Sequence, residues 1–339
     1  MTFTILNDIF EDNSASTIKV LDKIWMPVGE RHTFYIRNDG DIEALRNSEW
    51  FNGLRYIYRE EIDLYITRSV QSSRPPSILI VSNQSKDYYS VTEACEILTK
   101  PVTLILENAE NDAHFVRALL KNFKKKGKKI EKHLKNGWLE FGMGGGSAIP
   151  DFIEAKKHRF EQDRDIFPKE SCQYLRCFVL VDSDKSYLHQ PLKAEKQSLV
   201  QFLEENQVPY HILVKREMEN YLPEVVFSEI TSNEDYIRCY LDLSNMQKDY
   251  FDIEKGFNNI RFEQLPPEIK SLYEDVSVAN KEIFRNKKLE IKDNNGKKLS
   301  VKKELPKLFL SENVTQEGLQ NRAGSNELQE ILDKISELL

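Results

Sequence analysis

The sequence predicts an α/β protein: a mostly parallel sheet covered by helices, with an N-terminal α/β region and a mainly helical C-terminal region. Three observations carry that reading. Between residues 78 and 214, apolar runs of strand length alternate with stretches whose apolar residues recur at helical spacing. The connecting stretches are long enough to be crossovers between parallel strands. After "NYLPEVV" the alternation gives way to helix-like and charged pieces.

Taken in order, residues 1–75 mix short strand-like pieces, "STIKVL" and "HTFYIR", with the amphipathic stretch "IEALRNSEWFNGLRYIYREEIDLYI". The paired prolines of "SSRPPS" (72–77) then read as a break. "ILIVS" (78–82) is a buried-strand run, "VTEACEIL" (91–98) a short helix and "VTLILEN" (102–108) a second strand. Over 112–126, Phe115, Val116, Leu119, Leu120 and Phe123 fall on one helical face. "WLEFG" (138–142) is strand-like and runs into "MGGGS". A stripe of Ile149, Phe152, Ile153 and Phe160 precedes the strand "LRCFVLV" (175–181), and Leu199, Phe202 and Leu203 precede the strand "HILV" (211–214). A turn is expected at "DNNGKK" (293–298). A last helix carries Leu328, Ile331, Leu332, Ile335 and Leu338 behind a Ser325 or Asn326 cap. These elements divide the chain into 1–100, an α/β region, 101–225, where strands and helices alternate, and 226–339, mainly helical.

Composition narrows the function classes. With 40% apolar and 30% charged residues, the chain reads as an ordinary folded protein rather than a disordered or fibrous one. No apolar run approaches the ~20 residues of a membrane span. "MTFTILNDIFEDNS" lacks the basic start and apolar stretch of a secretion signal, so a cytoplasmic protein without membrane contact is expected. Cys95, Cys172, Cys177 and Cys239 show no zinc-ligand spacing and read as reduced thiols. The net charge of −7 argues against a protein that coats nucleic acid. Local runs go the other way: "KNFKKKGKKIEKHLK" (121–135) holds eight lysines against one glutamate, and 281–303 holds nine Lys or Arg. Each is either a solvated face or a phosphate-contacting stripe.

The acids sit where a ligand belongs. In an open parallel sheet, ligands collect at the carboxyl ends of the strands. Strand 102–107 ends in Glu107, strand 175–181 runs into Asp182 and Asp184, and strand 211–214 is followed by Glu217 and Glu219. Asp182 and Asp184, two apart, would share one face if the strand continued through them. Gly142 and Gly144 to Gly146 let the backbone turn tightly or approach a ligand. Carboxylates so grouped suit Mg²⁺ or Mn²⁺, although a single strand-end acid more often caps the next helix. Lys215 and Arg216, beside the last acids, add positive charge for phosphate. Together these are the parts of a phosphodiester-cleaving site.

"LILENAENDAHFVRALL", "FGMGGGSAIPDFI", "FVLVDSDK" and "ILVKREMENYLP" occur in an order and spacing that resemble the Toprim domain of topoisomerases, primases and the OLD (overcoming lysogenization defect) nucleases. The last segment looks most like OLD-type bacterial defence nucleases. The resemblance covers roughly 102–224. It implies that Glu107 binds metal or handles a proton, and that Asp182 and Asp184 are the metal pair. Glu219, with Glu217 as alternate, would serve a second metal. Gly145 and Gly146 would form the glycine turn at the substrate, Lys215 or Arg216 would offset charge on the phosphate, and Lys255 is a more distant substrate contact. This chain departs from the pattern at Asn108, where many relatives have glycine. It departs again at Asn111, where the usual acid moves to Asp112. No Walker A pattern is present, so an ATPase or other regulatory partner would be encoded separately.

The resulting expectation is a Mg²⁺- or Mn²⁺-dependent nuclease acting on DNA or RNA as a toxic effector of bacterial anti-phage defence, with a homodimer as one candidate state. The alternatives are a catalytically decayed Toprim protein acting as a binding or assembly subunit, and a primase-like nucleotidyltransferase.

Overall fold

The computed structural model describes residues 1–145, 148–293 and 295–339. Its regular elements make an α/β fold with two parallel sheets flanked by helices. The first sheet has the order β2-β1-β3, with β1 at Thr2–Ile5, β2 at Thr33–Phe34 and β3 at Leu79–Val81. The second has the order β5-β4-β6-β7, from β4 (Val102–Leu106), β5 (Leu139–Met143), β6 (Cys177–Val181) and β7 (Tyr210–Ile212). All pairings within both sheets are parallel.

The second sheet is buried on both sides, which explains its continuous apolar runs. Every residue of β4 and β6 is buried. Successive side chains point to opposite faces. Leu104, Leu106, Phe178 and Leu180 pack in one apolar cluster with Phe115, Val116 and Leu119 of helix Asp112–Asn122. Ile105, Val179 and Val181 pack on the other side with Ile149 and Ile153 of helix Ile149–Gln162 and with Leu199 and Leu203 of helix Ala194–Glu205. The first cluster also takes in Tyr236, Phe251, Phe284, Leu328, Ile331 and Leu332, so one apolar core runs from β4 to the last helix, Glu327–Glu337. Residues 3–98 have a core of their own around Phe3, Trp25, Trp50 and Ile62.

Several expectations need correction. "STIKVL" is not strand-like: it lies in helix Ala15–Trp25, where the Ser14 side chain accepts from the Thr17 N–H and Leu21, Ile24 and Trp25 are buried together. The amphipathic stretch 42–66 is three helices, Asp39–Asn47, Glu49–Gly53 and Tyr56–Gln71, broken where Ser48 caps the second and Leu54 leaves it in extended backbone. The run 78–82 contributes β3 to the first sheet, paired with β1 through Phe3↔Leu79, and does not continue the second. After it, helix Val91–Thr99 ends against the Arg31 guanidinium and the His32 imidazole, which burial keeps neutral. Arg31 Nη1 donates to Thr99 O at 2.8 Å and His32 Nε2 donates to Leu98 O at 2.7 Å, satisfying carbonyls that a helix C-terminus leaves open.

The lysine run 121–135 forms helix Lys124–Lys135 after a break at Phe123. Four of its eight lysines are paired: Lys121 with Glu312 at 3.1 Å, Lys132 with Glu30 at 3.4 Å, Lys135 with Glu131 at 2.8 Å, and Lys126 with Asp333. Helix Asp112–Asn122 carries the chain about 16 Å away from the end of β4 before this run begins. The segment "DNNGKK", expected to turn, lies between two antiparallel strands, Ile291–Lys292 and Lys298–Leu299, and its Asn294 lies outside the described residues.

Candidate functional site

The order β5-β4-β6-β7 means that the chain leaves β4 toward one side and returns on the other, so β4 and β6 are neighbours. Such a reversal opens a crevice at the carboxyl ends of the two strands. Glu107 follows β4 directly, and Asp182 follows β6 directly. β7 leads through Leu213–Arg216 to a single helical turn, Met218–Tyr221, which carries Glu219 with Glu217 just before it.

Local hydrogen bonds hold these loops to one another. The Met218 N–H donates to Asp182 Oδ1 at 2.9 Å, and the Asp184 N–H donates to Arg216 O at 3.0 Å. Buried Ser183 donates its hydroxyl to Lys215 O at 2.7 Å. Asp184 has φ +55°, a left-handed conformation that aspartate tolerates better than most residues. The pleat therefore does not bring Asp182 and Asp184 together. The strand stops at Val181, and a stitched turn sets the direction of Asp184.

Asn108 has a comparable local role. Its side chain accepts from the N–H groups of Glu110 and Asn111, and its own N–H donates to Asp112 Oδ2 at 2.8 Å. Asp112, and not Asn111, thereby turns toward the strand-end acids. The glycine turn passes the same place: the Gly144 N–H donates to Leu106 O at 2.9 Å. A Cβ on Gly144 would press into Ile149, whereas one on Gly145 would meet, among the described residues, only Glu107 O, at 3.8 Å. Close packing therefore requires glycine at 144 rather than at the predicted 145. Gly146 lies outside the described residues.

The six acids at this crevice, Glu107, Asp112, Asp182, Asp184, Glu217 and Glu219, are each half-buried. Burial, then the charges of Glu219, Glu107, Asp112 and Glu217, raise the Asp182 pKa well above its ordinary value. Glu219 is pushed up to about 8 by burial and by Glu217, Asp112 and Glu254. Burial and Glu107 push Asp112 up to about 6, against the lowering effects of the Asn108 N–H and Lys196. Glu217 is raised by burial, with Arg216 opposing the shift. Five acids named from the sequence, Glu107, Asp112, Asp182, Glu217 and Glu219, thus feel one another's charge. Asp184 joins them through Glu217 and through Lys196.

The cations are arranged differently from expectation. Lys215 is 2% exposed and points away into a buried network, paired with Asp249, which also holds Arg322. Arg216 is fully engaged: Nε with Glu217 at 3.2 Å, Nη1 with Ser186 Oγ at 3.0 Å and Nη2 with Asp252 at 3.1 Å. Lys255 is exposed, and its N–H donates to Asp252, the partner of Arg216. The cation at the acids is Lys196, which the sequence reading did not select. It is 9% exposed, bonded to Glu107 and 3.6 Å from Asp184 Oδ2. One signal was available: a lysine in the first turn of helix Ala194–Glu205 opposes the helix dipole unless carboxylates face it.

As the side chains stand, no three His, Cys, Asp or Glu among the described residues form a ready ligand set for a metal ion. The chemistry of the donors nevertheless fits a hard divalent cation. Among the described residues, the ion pairs to these six carboxylates come from Lys196 and Arg216, and burial with mutual repulsion raises four of the acids. Among the described residues no helix is long and apolar enough to cross a membrane. Comparison with family models, with curated proteins and with solved structures returns no match.

Proposed function

We propose that the chain is a metal-dependent nuclease of the Toprim type that hydrolyses phosphodiester bonds of DNA or RNA with Mg²⁺ or Mn²⁺. The observation that carries this reading is the meeting of carboxylates from three adjacent strand ends at the strand-order reversal, with negative charge in excess of positive. Glu107 and Asp182 are the residues that would hold the cation, with Asp112 and Asp184 beside them and Glu217 and Glu219 for a second. Bound there, the cation supplies an activated water and offsets charge that builds on the phosphate. Asp112 and Glu219 titrate near neutrality, so each holds or releases a proton as the charge around it changes. The role as a cytoplasmic anti-phage effector rests on the likeness of "REMENYLP" to defence nucleases. An ATPase or other regulatory partner and a homodimer belong to the same proposal.

The test is cleavage of plasmid DNA and of tRNA with Mg²⁺ or Mn²⁺ by the wild-type chain, Glu107→Ala and Asp182→Ala. Each substitution should lower the rate on the order of 10²-fold or more. Undiminished cleavage by either variant would remove the assignment.

The Lys196 bridge favours a second reading, a metal-free Toprim-type binding or assembly subunit, because an ammonium already lies between Glu107 and Asp184. Calorimetric titration separates the two: such a subunit takes up neither Mg²⁺ nor Mn²⁺ through its carboxylates.

A further inference from the structure

Lys196 is an expensive residue where it stands. Its ammonium is almost fully withdrawn from water, at the positive end of a helix dipole, in the first turn of Ala194–Glu205. A cation buried at that end of a helix is costly, from burial and the dipole alike. What offsets them is the contact with Glu107, from the end of β4, and with Asp184, from the turn after β6. These two acids come from the strands that flank the crevice, so the ammonium spans the gap in which a divalent cation would sit. A point charge on a flexible four-carbon stem is also the kind of group that can leave such a gap without unfolding its helix.

We propose that Lys196 is a resident counter-ion, holding Glu107 and Asp184 together in the metal-free protein and displaced when a divalent cation enters between them. This rests on the nuclease reading only in requiring that the acids take up metal. Each charge would satisfy the same two carboxylates, so ion and ammonium compete, and Lys196 weakens metal binding while it protects the empty site from charge repulsion. A lysine with a merely structural role would leave metal affinity unchanged or, through disorder of the acids, lower it.

The experiment compares wild type and Lys196→Met by calorimetric titration with MnCl₂ in the absence of nucleic acid, with thermal unfolding in EDTA alongside. Lys196→Met should bind Mn²⁺ at least about tenfold more tightly, the scale on which groups next to metal ligands act. It should also melt earlier than wild type in EDTA. Equal or weaker Mn²⁺ binding overturns the proposal. Should the variant fail to fold, reductive methylation of the wild-type chain read by mass spectrometry gives the same answer. Lys196 should be protected in EDTA and become modified at saturating Mg²⁺, and protection in both conditions overturns the proposal. Cleavage separates the two readings. A wild type that cleaves while Lys196→Met gains no affinity loses this inference and keeps the nuclease. Tighter metal binding without cleavage by either chain does the reverse.

Discussion

The Met218 N–H donates to Asp182 Oδ1 at 2.9 Å, so the acid that closes β6 is oriented by the loop that carries Glu217 and Glu219. Asp182→Asn keeps an acceptor for that N–H and removes a carboxyl whose ionisation burial and the neighbouring acids oppose. It should leave the metal-free melting temperature unchanged or higher, and abolish carboxylate-dependent Mn²⁺ uptake. Asp182→Ala, which strands the N–H, should melt lower than Asp182→Asn by about 1 kcal/mol of stability, read by urea denaturation.

Stability of the metal-free protein should fall as pH rises through the recess carboxyls. Glu219 has its pKa raised from 4.5 to about 8, so the native state binds more protons than the unfolded chain between those values. Its contribution is therefore favourable at low pH and is lost as the pH rises toward 8. Glu219→Gln should flatten that part of the curve. Saturating Mg²⁺ should flatten it in wild type, with proton release measurable as buffer-dependent heat.

Much of this arrangement is legible in the sequence, and the failures have physical causes. The continuous apolar runs gave β4 and β6 because both faces of those strands are covered, and the acids after them followed from the edge to which parallel strands point. "STIKVL" misled because its β-branched residues suit a strand locally, while the Ser14 cap and the burial of Leu21, Ile24 and Trp25 settle it as helix. Nothing local marks that 78–82 joins the first sheet, since choice of partner strand is a long-range matter. Lys215 looked like a phosphate contact because it adjoins Glu217 in sequence, yet the chain turns it inward to Asp249. Lys196 reaches Glu107 across 89 residues, a contact that spacing alone does not reveal.

The glycine turn allows a contrast of neighbours. Gly144→Ala should destabilise the protein by about 1–3 kcal/mol, because the new methyl group has to displace Ile149, a core residue of the sheet's second face. Gly145→Ala should be nearly neutral, its Cβ meeting, among the described residues, only the Glu107 carbonyl at ordinary distance. Chemical denaturation of both variants checks the difference, and equal losses would contradict the packing described.

Glu327 ties the last helix to β7 from a position that is 4% exposed. It accepts from the Val214 N–H at 2.7 Å and from the Tyr221 hydroxyl, and bonds His211 Nε2 at 2.9 Å. Glu327→Ala should cost about 3 kcal/mol, since the buried Tyr221 hydroxyl and His211 ring lose their partner together. Metal uptake per folded molecule should be unchanged, because none of these contacts involves the recess acids.

Whether the carboxylates after β4, β6 and β7 share a divalent cation is decided by anomalous diffraction from crystals grown with Mn²⁺. A peak should lie within coordination reach of Asp182 and Glu107, with the Lys196 ammonium withdrawn from between Glu107 and Asp184. Crystals that hold Mn²⁺ elsewhere, or none, with Lys196 still bridging those two acids, would contradict it.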